Sequence, residues 1–141
     1  MTQTDFARFV AAQDPVWQDV RAELQAGRKT THWMWFVFPQ IAGLGRSVTA
    51  QRFALASLAE AQAYLAHPVL GPRLREASRA LLAHRGTPPE TVLGPVDALK
   101  LRSSMTLFAA AAPKEPLFGE VLDAFYGGAP DPRTLERLRD A

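Results

Sequence analysis

The residues best suited to ligand chemistry are concentrated between positions 29 and 40, in the stretch KTTHWMWFVFPQ. Its chemically useful side chains are a cation, an imidazole, two indoles and an amide: Lys29, His32, Trp33, Trp35 and Gln40. An indole can stack against a flat heteroaromatic group, and a lysine can pair with a phosphate. This aromatic segment therefore predicts a site for an anionic, nucleotide-like small molecule. The alternative is that the tryptophans pack in the core and that His32 bonds to a backbone carbonyl.

A second group of polar side chains lies on one predicted helix: Asp97, Lys100, Arg102, Ser103 and Ser104. The apolar residues of this helix share one face, which leaves Asp97, Lys100 and Ser104 on the other. This polar face could bind phosphate or hydroxyl groups, whereas the simpler interpretation is an ion pair between Asp97 and Lys100. We expect the two groups of residues to meet around one pocket. If a bond is broken there, His32 or Asp97 would transfer the proton.

A glycine-rich stretch follows the aromatic segment and runs from Gly43 to Ser47 with the sequence GLGRS. Glycines allow backbone shapes in which amides converge on an anion. This pattern, however, has the spacing of neither a Walker loop nor a dinucleotide fingerprint. A tight turn at the rim of a pocket is the alternative use. Ser47 or Thr49 would cap the helix that follows.

The distribution of charge favours an anionic partner. The formal net charge is +2, and residues 21–102 hold eleven Lys/Arg against five Asp/Glu. An excess of positive charge around the aromatic segment favours an anionic small molecule, although scattered surface arginines would give the same count. No run of Lys/Arg has the density typical of proteins that bind duplex nucleic acid strongly. Strong binding to duplex nucleic acid is therefore not expected.

The composition excludes several kinds of site. The chain has no cysteine, which excludes disulfides, thiolate ligands and a cysteine nucleophile. Its histidines have no second ligand at the spacing of a metal site, so we expect neither a metal nor a cofactor.

The first residues lack the pattern of a signal peptide, and no run approaches the ~18 apolar residues of a membrane span. We therefore expect a cytoplasmic protein without a membrane partner.

Helix signals account for almost the whole chain. Proline follows a capping residue at four predicted helix starts, and glycine closes several periodic segments. The predicted helices lie near residues 4–12, 15–26, 30–38, 50–66 with a break near Ser57, 68–85, 88–93, 96–111, 116–126 and 132–139. Alternating strand patterns are nearly absent. With 141 residues and 48% hydrophobic composition, the sequence predicts one all-α domain, a compact multi-helix bundle over residues 1–141 with its core at about 5–135.

Several motifs together resemble one known family. They are Gly27-x-Lys29, His32-Trp-Met-Trp-Phe-x-Phe-Pro-Gln40, Gly43-Leu-Gly-x-Ser47 and Asp97-x-x-Lys-Leu-x-Ser-Ser-Met-Thr-Leu-Phe108. Over residues 5–135 the chain is similar to the bacterial family of domains of unknown function numbered 1810. This resemblance implies a small helical protein with no established activity. Some members carry the label calpastatin-like, but calpastatin is disordered, whereas this sequence has the apolar stripes of a packed core.

The histidine-aromatic segment also resembles the NADAR family, whose helical members are implicated in cleaving N-glycosidic bonds of ADP-ribose or phosphoribosyl substrates. This resemblance implies hydrolysis of such a bond as the reaction. NADAR proteins carry a glutamate beside the histidine, whereas Thr31 precedes His32 in this chain. Asp97 is then the candidate replacement for the acid–base residue.

A different class of function also fits the aromatic segment. Exposed rings can anchor another protein or a second copy of the same chain, which predicts a noncatalytic interaction or homodimerisation module with an outward apolar patch. Sequence-specific RNA binding is a third hypothesis, since rings and cations also serve it. The sequence alone leaves open whether the protein is an enzyme.

Overall fold

The computed structural model describes residues 6–140, which form ten helices and no strand. The helices are α1 (Ala7–Gln13), α2 (Trp17–Ala26), α3 (Met34–Val37), α4 (Val48–Phe53), α5 (Leu58–Ala66), α6 (Leu70–Leu82), α7 (Pro89–Leu93), α8 (Pro95–Ala111), α9 (Leu117–Tyr126) and α10 (Pro132–Asp140). The all-α prediction is confirmed. None of the helices over these residues is long and apolar enough to cross a membrane.

Side-chain caps fix several of the helix starts. The hydroxyl of Ser57 accepts a hydrogen bond from the Glu60 amide at 3.1 Å, which separates α5 from α4 near the predicted break. Ser47 caps α4 in the same way. The imidazole of His67 accepts bonds from two backbone amides at the entrance to α6. Because each cap satisfies amides that have no partner inside the helix, these boundaries could be predicted from local sequence.

The largest difference from the predicted helices lies at residues 30–38. Only the single turn of α3 is helical there. The residues before α3 form a loop, in which the amides of Thr30 and Thr31 donate to the side chain of Glu23. The helix predicted over 4–12 is α1, and its first two predicted positions, 4 and 5, lie outside the described residues.

Helix α8 lies at the centre of the fold and contacts α5, α7, α9 and α10. Its residues Leu101, Met105 and Phe108 are fully buried, at the spacing that places them on one helical face. Each such side chain contributes about 1.5–3 kcal/mol when it leaves water. Since α8 also carries the second group of polar residues, this packing determines where those side chains point.

Two of the four indole and phenyl rings of the aromatic segment are buried in the core, and the other two pack against it. Trp33 and Phe38 are 1% and 0% exposed, whereas Trp35 and Phe36 are partly buried. The Phe36 ring packs against that of Phe53. The high density of rings in the sequence therefore reflects packing to a large extent, and Trp35 is the indole of this segment that reaches the surface.

Candidate functional site

Glu23 fixes the loop that carries His32 and Trp33. Its Oε1 accepts hydrogen bonds from the amides of Thr30 and Thr31 at 2.7 and 3.0 Å and from the Trp33 indole at 3.0 Å. Its Oε2 accepts a bond from the Thr31 hydroxyl at 2.6 Å. Partial burial alone would raise the pKa of Glu23, but these bonds outweigh it and lower that pKa from 4.5 to about 2. The carboxylate therefore stays ionised and holds the Trp33 ring in the core.

We expect the Glu23→Ala variant to lose on the order of 3 kcal/mol of unfolding free energy, because the buried Trp33 N–H and two loop amides lose their acceptor. Urea unfolding measures this loss. The matched control is Glu76→Ala, which breaks a pair with Arg21 whose side chains are 46% and 44% exposed. We expect that control to lose about 1 kcal/mol or less. Equal losses in the two variants would contradict the role assigned to Glu23.

The same carboxylate gives an expected pH dependence. Because the folded pKa of about 2 lies below the usual 4.5, the stabilisation from Glu23 is present above about pH 4.5 and is lost as the pH falls toward 2. Glu23→Gln removes this titration and keeps the shape of the side chain. The difference in unfolding free energy between the wild type and Glu23→Gln should therefore shrink from about pH 6 to about pH 3. A difference that does not change with pH would show that the charge of Glu23 contributes nothing.

Asp97 joins the aromatic segment to α8. Its Oδ2 accepts a bond from Lys29 Nζ at 2.8 Å, and its Oδ1 accepts one from Lys100 Nζ at 3.1 Å. The side chains of Lys29, Asp97 and Lys100 are 6%, 18% and 16% exposed. Burial alone would raise the pKa of Asp97, but the bonds from both lysines outweigh it and hold that pKa below its usual 3.8. The ion pair suggested by the sequence is present, and a second lysine shares it.

Lys100 also touches the one indole of the segment that is not fully buried. Its Nζ lies 3.6 Å from the centre of the Trp35 ring, which is a close cation–π contact. The same indole approaches Gly45, where an added Cβ would lie 3.8 Å from the ring atom Cζ3. Asp97 and Trp35 together therefore fix the position of the Lys100 ammonium group.

An open cavity of about 310 Å³ lies between α3, the glycine-rich stretch, α8 and the start of α10, and we call it the α8–α10 pocket. Its polar lining includes an indole, an amide, three cations and a carboxylate: Trp35, Gln40, Lys100, Arg102, Arg133 and Asp131. Cations outnumber carboxylates three to one in this lining. The potential in the pocket therefore favours an anionic ligand.

The structure brings together five of the ten site residues that the sequence predicts. Trp35, Gln40, Lys100, Arg102 and Ser103 all line the α8–α10 pocket. Two more belong to the ion pairs that support this lining: Lys29 and Asp97. The two segments therefore meet around one cavity, as we expect from the sequence.

The remaining three predicted residues lie elsewhere. Trp33 is 1% exposed and Ser104 is 0% exposed, and neither belongs to the lining of the α8–α10 pocket. His32 is exposed and also lies outside that lining. The assignment of these residues to a site stays a prediction without support from the geometry.

The sequence did not point to the contribution of α10 to the pocket. Asp131 precedes Pro132 and so has the local pattern of a helix cap, and its Oδ2 does accept a bond from the Thr134 amide at 3.1 Å. Arg133 had no distinguishing local pattern. It lines the pocket and donates to the carbonyl of Leu44 at 3.3 Å, across 89 residues of sequence. Contacts of this range depend on the packing of the whole chain, so no local motif reveals them.

The glycine-rich stretch forms a turn held by α10. Gly43 has a φ of +98°, in the left-handed region that glycine tolerates. The guanidinium of Arg137 occupies the space into which a Cβ at Gly43 would extend, and its Nε donates to the carbonyl of Ala42 at 3.2 Å. This contact supports the tight-turn interpretation. The turn forms one wall of the pocket through Leu44 and Gly45.

Metal binding receives no support from the side-chain positions. Over residues 6–140, no three His, Asp or Glu side chains lie close enough together to hold a metal ion. The α8–α10 pocket has cationic nitrogen as its main polar lining, and cationic nitrogen repels a metal cation.

Comparisons with known proteins agree with the fold. The family model described as "Protein of unknown function (DUF1810)" matches residues 3–138. The chain is similar to the conserved hypothetical protein Rv1873 from Mycobacterium tuberculosis, a crystal structure, with 52% sequence identity and a TM-score of 0.92. This similarity covers 94% of this chain and 95% of that chain. No curated protein matches the chain. Since none of these descriptions states an activity, the pocket is the basis for a functional hypothesis.

Proposed function

Because the chain belongs to the DUF1810 family of proteins of unknown function, we propose its function from the pocket itself: it binds an anionic, nucleotide-like small molecule between α3, α8 and α10. The observation that carries this proposal is the convergence of three cations and one indole on a single cavity. Lys100 and Arg102 come from α8, Arg133 from α10 and Trp35 from α3. This combination suits a phosphate joined to a flat ring.

The two arginines of the pocket keep donor groups for an anion. Arg102 donates through Nε and Nη2 to the carbonyls of Ala129 and Pro130, both at 2.9 Å. These bonds use two of its five N–H donors and hold the side chain in place. Arg133 uses one N–H group to donate to the carbonyl of Leu44. A phosphate in the pocket would therefore meet guanidinium groups that are already oriented and still have free N–H groups.

Apolar side chains border the same pocket. Val96 and Leu99 lie three positions apart on α8 and are 64% and 67% exposed. Leu44 adds a third apolar side chain from the glycine-rich stretch. A flat base that covered these side chains would remove apolar surface from water, at roughly 25 cal/mol per Å². We therefore place the base near Val96 and Leu99 and the phosphate near the arginines.

The size of the pocket favours a compact ligand. Its volume of about 310 Å³ lies at the lower end of the range of about 300–1,000 Å³ that is typical of small-molecule sites. A mononucleotide or a ribose phosphate suits this volume better than ADP-ribose does. AMP and ribose 5-phosphate are accordingly the first compounds to test.

The melting temperature of the protein tests the proposal. A ligand that binds only the folded state raises this temperature, and a concentration of about 100 times Kd adds about 2.7 kcal/mol of stability. We expect AMP to raise the melting temperature by at least about 2 °C and adenosine, which lacks the phosphate, to raise it less. ADP-ribose and ribose 5-phosphate complete the series. If no compound shifts the transition, or if adenosine and AMP shift it equally, the proposal is wrong.

Hydrolysis of an N-glycosidic bond stays a separate prediction. Its acid–base candidates are Asp97, which two lysines hold in the ionised form, and His32, which lies outside the pocket lining. Chromatography of AMP after incubation with the protein tests hydrolysis directly, because cleavage releases adenine. Binding of AMP without release of adenine would show that the protein binds this nucleotide but does not hydrolyse its N-glycosidic bond.

The interaction hypothesis depends on exposed aromatic rings, and the structure offers little support for it. Over residues 6–140, the large apolar side chains with the highest exposure are Val48, Val96, Leu99 and Leu135, and no indole or phenyl ring is among them. Two of these residues border the α8–α10 pocket. Sedimentation separates the hypotheses, since a tight homodimer that AMP does not disturb would favour an interaction module.

A further inference from the structure

We infer that Ser103 accepts a hydrogen bond from a sugar hydroxyl of the ligand, so that the pocket selects a phosphorylated ligand with a free hydroxyl group. This inference rests on the proposed function and adds a specificity-determining residue to it. Ser103 lies on α8 and lines the α8–α10 pocket. It is only 2% exposed, so its hydroxyl is a buried polar group of a residue that lines the pocket.

Ser103 belongs to a chain of hydrogen bonds that ends at a carboxylate. Its Oγ lies 2.8 Å from the Oγ1 of Thr134, which is fully buried. The Thr134 hydroxyl in turn donates to Oδ2 of Asp131. Asp131 is held in place because its amide donates to the hydroxyl of Thr106 on α8 at 2.8 Å. The chain therefore links the pocket wall to the first turn of α10.

The carboxylate determines the direction of every bond in this chain. An ionised carboxylate only accepts hydrogen bonds, and a hydroxyl group has a single hydrogen to donate. Thr134 gives its hydrogen to Asp131, so it can only accept from Ser103. Ser103 therefore gives its own hydrogen to Thr134. The Ser103 oxygen is left as a hydrogen-bond acceptor.

A buried acceptor at a pocket wall is best satisfied by a donor on the ligand. Two common donors are a neutral hydroxyl and a charged ammonium group. The cations Lys100, Arg102 and Arg133 line the same pocket and would repel an ammonium group. A hydroxyl avoids this repulsion, and a phosphate on the same molecule benefits from those cations. A ribose phosphate or a ribonucleotide meets both conditions.

Calorimetric titration with AMP and with 2′,3′-dideoxy-AMP tests this inference, because the two compounds differ only in the sugar hydroxyls. We expect the wild-type protein to bind AMP roughly fivefold or more tightly, the effect of one hydrogen bond to a buried acceptor. Ser103→Ala should bind the two compounds equally. If the wild type binds both compounds equally, the inference is wrong, although the proposed function stands. If it binds neither, both are wrong.

Variants of Thr134 test the direction of the chain without changing Ser103. Thr134→Ser keeps the hydroxyl and should keep the preference for AMP. Thr134→Val removes the acceptor, which frees the Ser103 hydrogen to point elsewhere, so the preference should decrease. A preference that is unchanged in Thr134→Val would show that the orientation of Ser103 does not depend on this chain and would overturn the inference. Melting temperatures of all variants provide the check on folding.

Discussion

The Asp97→Ala variant should lose about 3 kcal/mol of unfolding free energy in urea denaturation. The substitution leaves Lys29, whose side chain is 6% exposed, without the carboxylate that it contacts at 2.8 Å. A buried charge that loses its partner destabilises a protein by roughly 3–5 kcal/mol, far more than the intact pair contributes. The lower end of this range applies because Lys100 is more exposed than Lys29 and can reach solvent.

A second substitution separates the loss of a partner from the loss of packing. Lys29→Met removes the buried charge. The double variant Lys29→Met/Asp97→Ala should therefore recover part of the stability that Asp97→Ala alone loses. The control is Arg21→Ala, which breaks an exposed pair with Glu76 and should change the unfolding free energy by about 1 kcal/mol at most. If Asp97→Ala resembles this control, Asp97 is not the support of the pocket wall that we infer.

The Arg133→Gln variant should bind AMP at least about tenfold more weakly than the wild type. A charge-assisted bond from a guanidinium to a phosphate is worth about 1.5–3 kcal/mol, and 1.4 kcal/mol corresponds to a factor of ten in Kd. Arg133 is exposed at the start of α10, and its bond to the Leu44 carbonyl is long at 3.3 Å. The fold should therefore survive the substitution with little change in melting temperature.

Two further variants make the Arg133 result specific. Arg133→Lys keeps the charge and should bind AMP with an affinity between those of the wild type and Arg133→Gln. Arg79→Gln removes an exposed charge from α6, outside the lining of the pocket, and should leave the affinity unchanged. Calorimetric titration measures all three. If Arg133→Gln and Arg79→Gln bind AMP with equal affinity, Arg133 does not contact the ligand.

Local chemistry explains why most helices could be predicted from the sequence. Ser47 and Ser57 lie at the helix starts that their side chains cap, and Gly27 has a φ of +72° at the end of α2. Such signals depend only on neighbouring residues and on the amides or carbonyls that a helix end leaves free. The helix predicted over 30–38 is the exception, since only Met34–Val37 is helical and the residues before it form a loop that bonds to the distant Glu23 side chain.

The roles of the aromatic residues could be predicted only in part. Composition indicates that the segment is rich in rings, but it does not distinguish Trp33 from Trp35, which lie two residues apart. The structure separates them, since Trp33 is 1% exposed and bonds to Glu23, whereas Trp35 reaches the pocket. This difference arises from the loop before α3, which periodicity does not describe.

The pocket wall that α8 forms could be predicted from the sequence better than the wall that faces it. A helix over 96–111 places Lys100 and Ser103 on α8, and both line the pocket. The opposite wall comes from Asp131 and Arg133, which reach the pocket only because α10 packs on α8. The sequence indicates that α10 begins near residue 132, but it gives no local signal for the helix against which α10 packs.

The most direct test of the central claim is a two-dimensional ¹H–¹⁵N spectrum of the indole N–H groups during titration with AMP. The chain has three tryptophans, so it gives three indole signals, and Trp17 and Trp33 are internal controls for Trp35. We expect the Trp35 signal to shift progressively and to saturate, while the other two move much less. If all three signals stay in place up to millimolar AMP, or if Trp17 responds and Trp35 does not, the α8–α10 pocket is not the binding site.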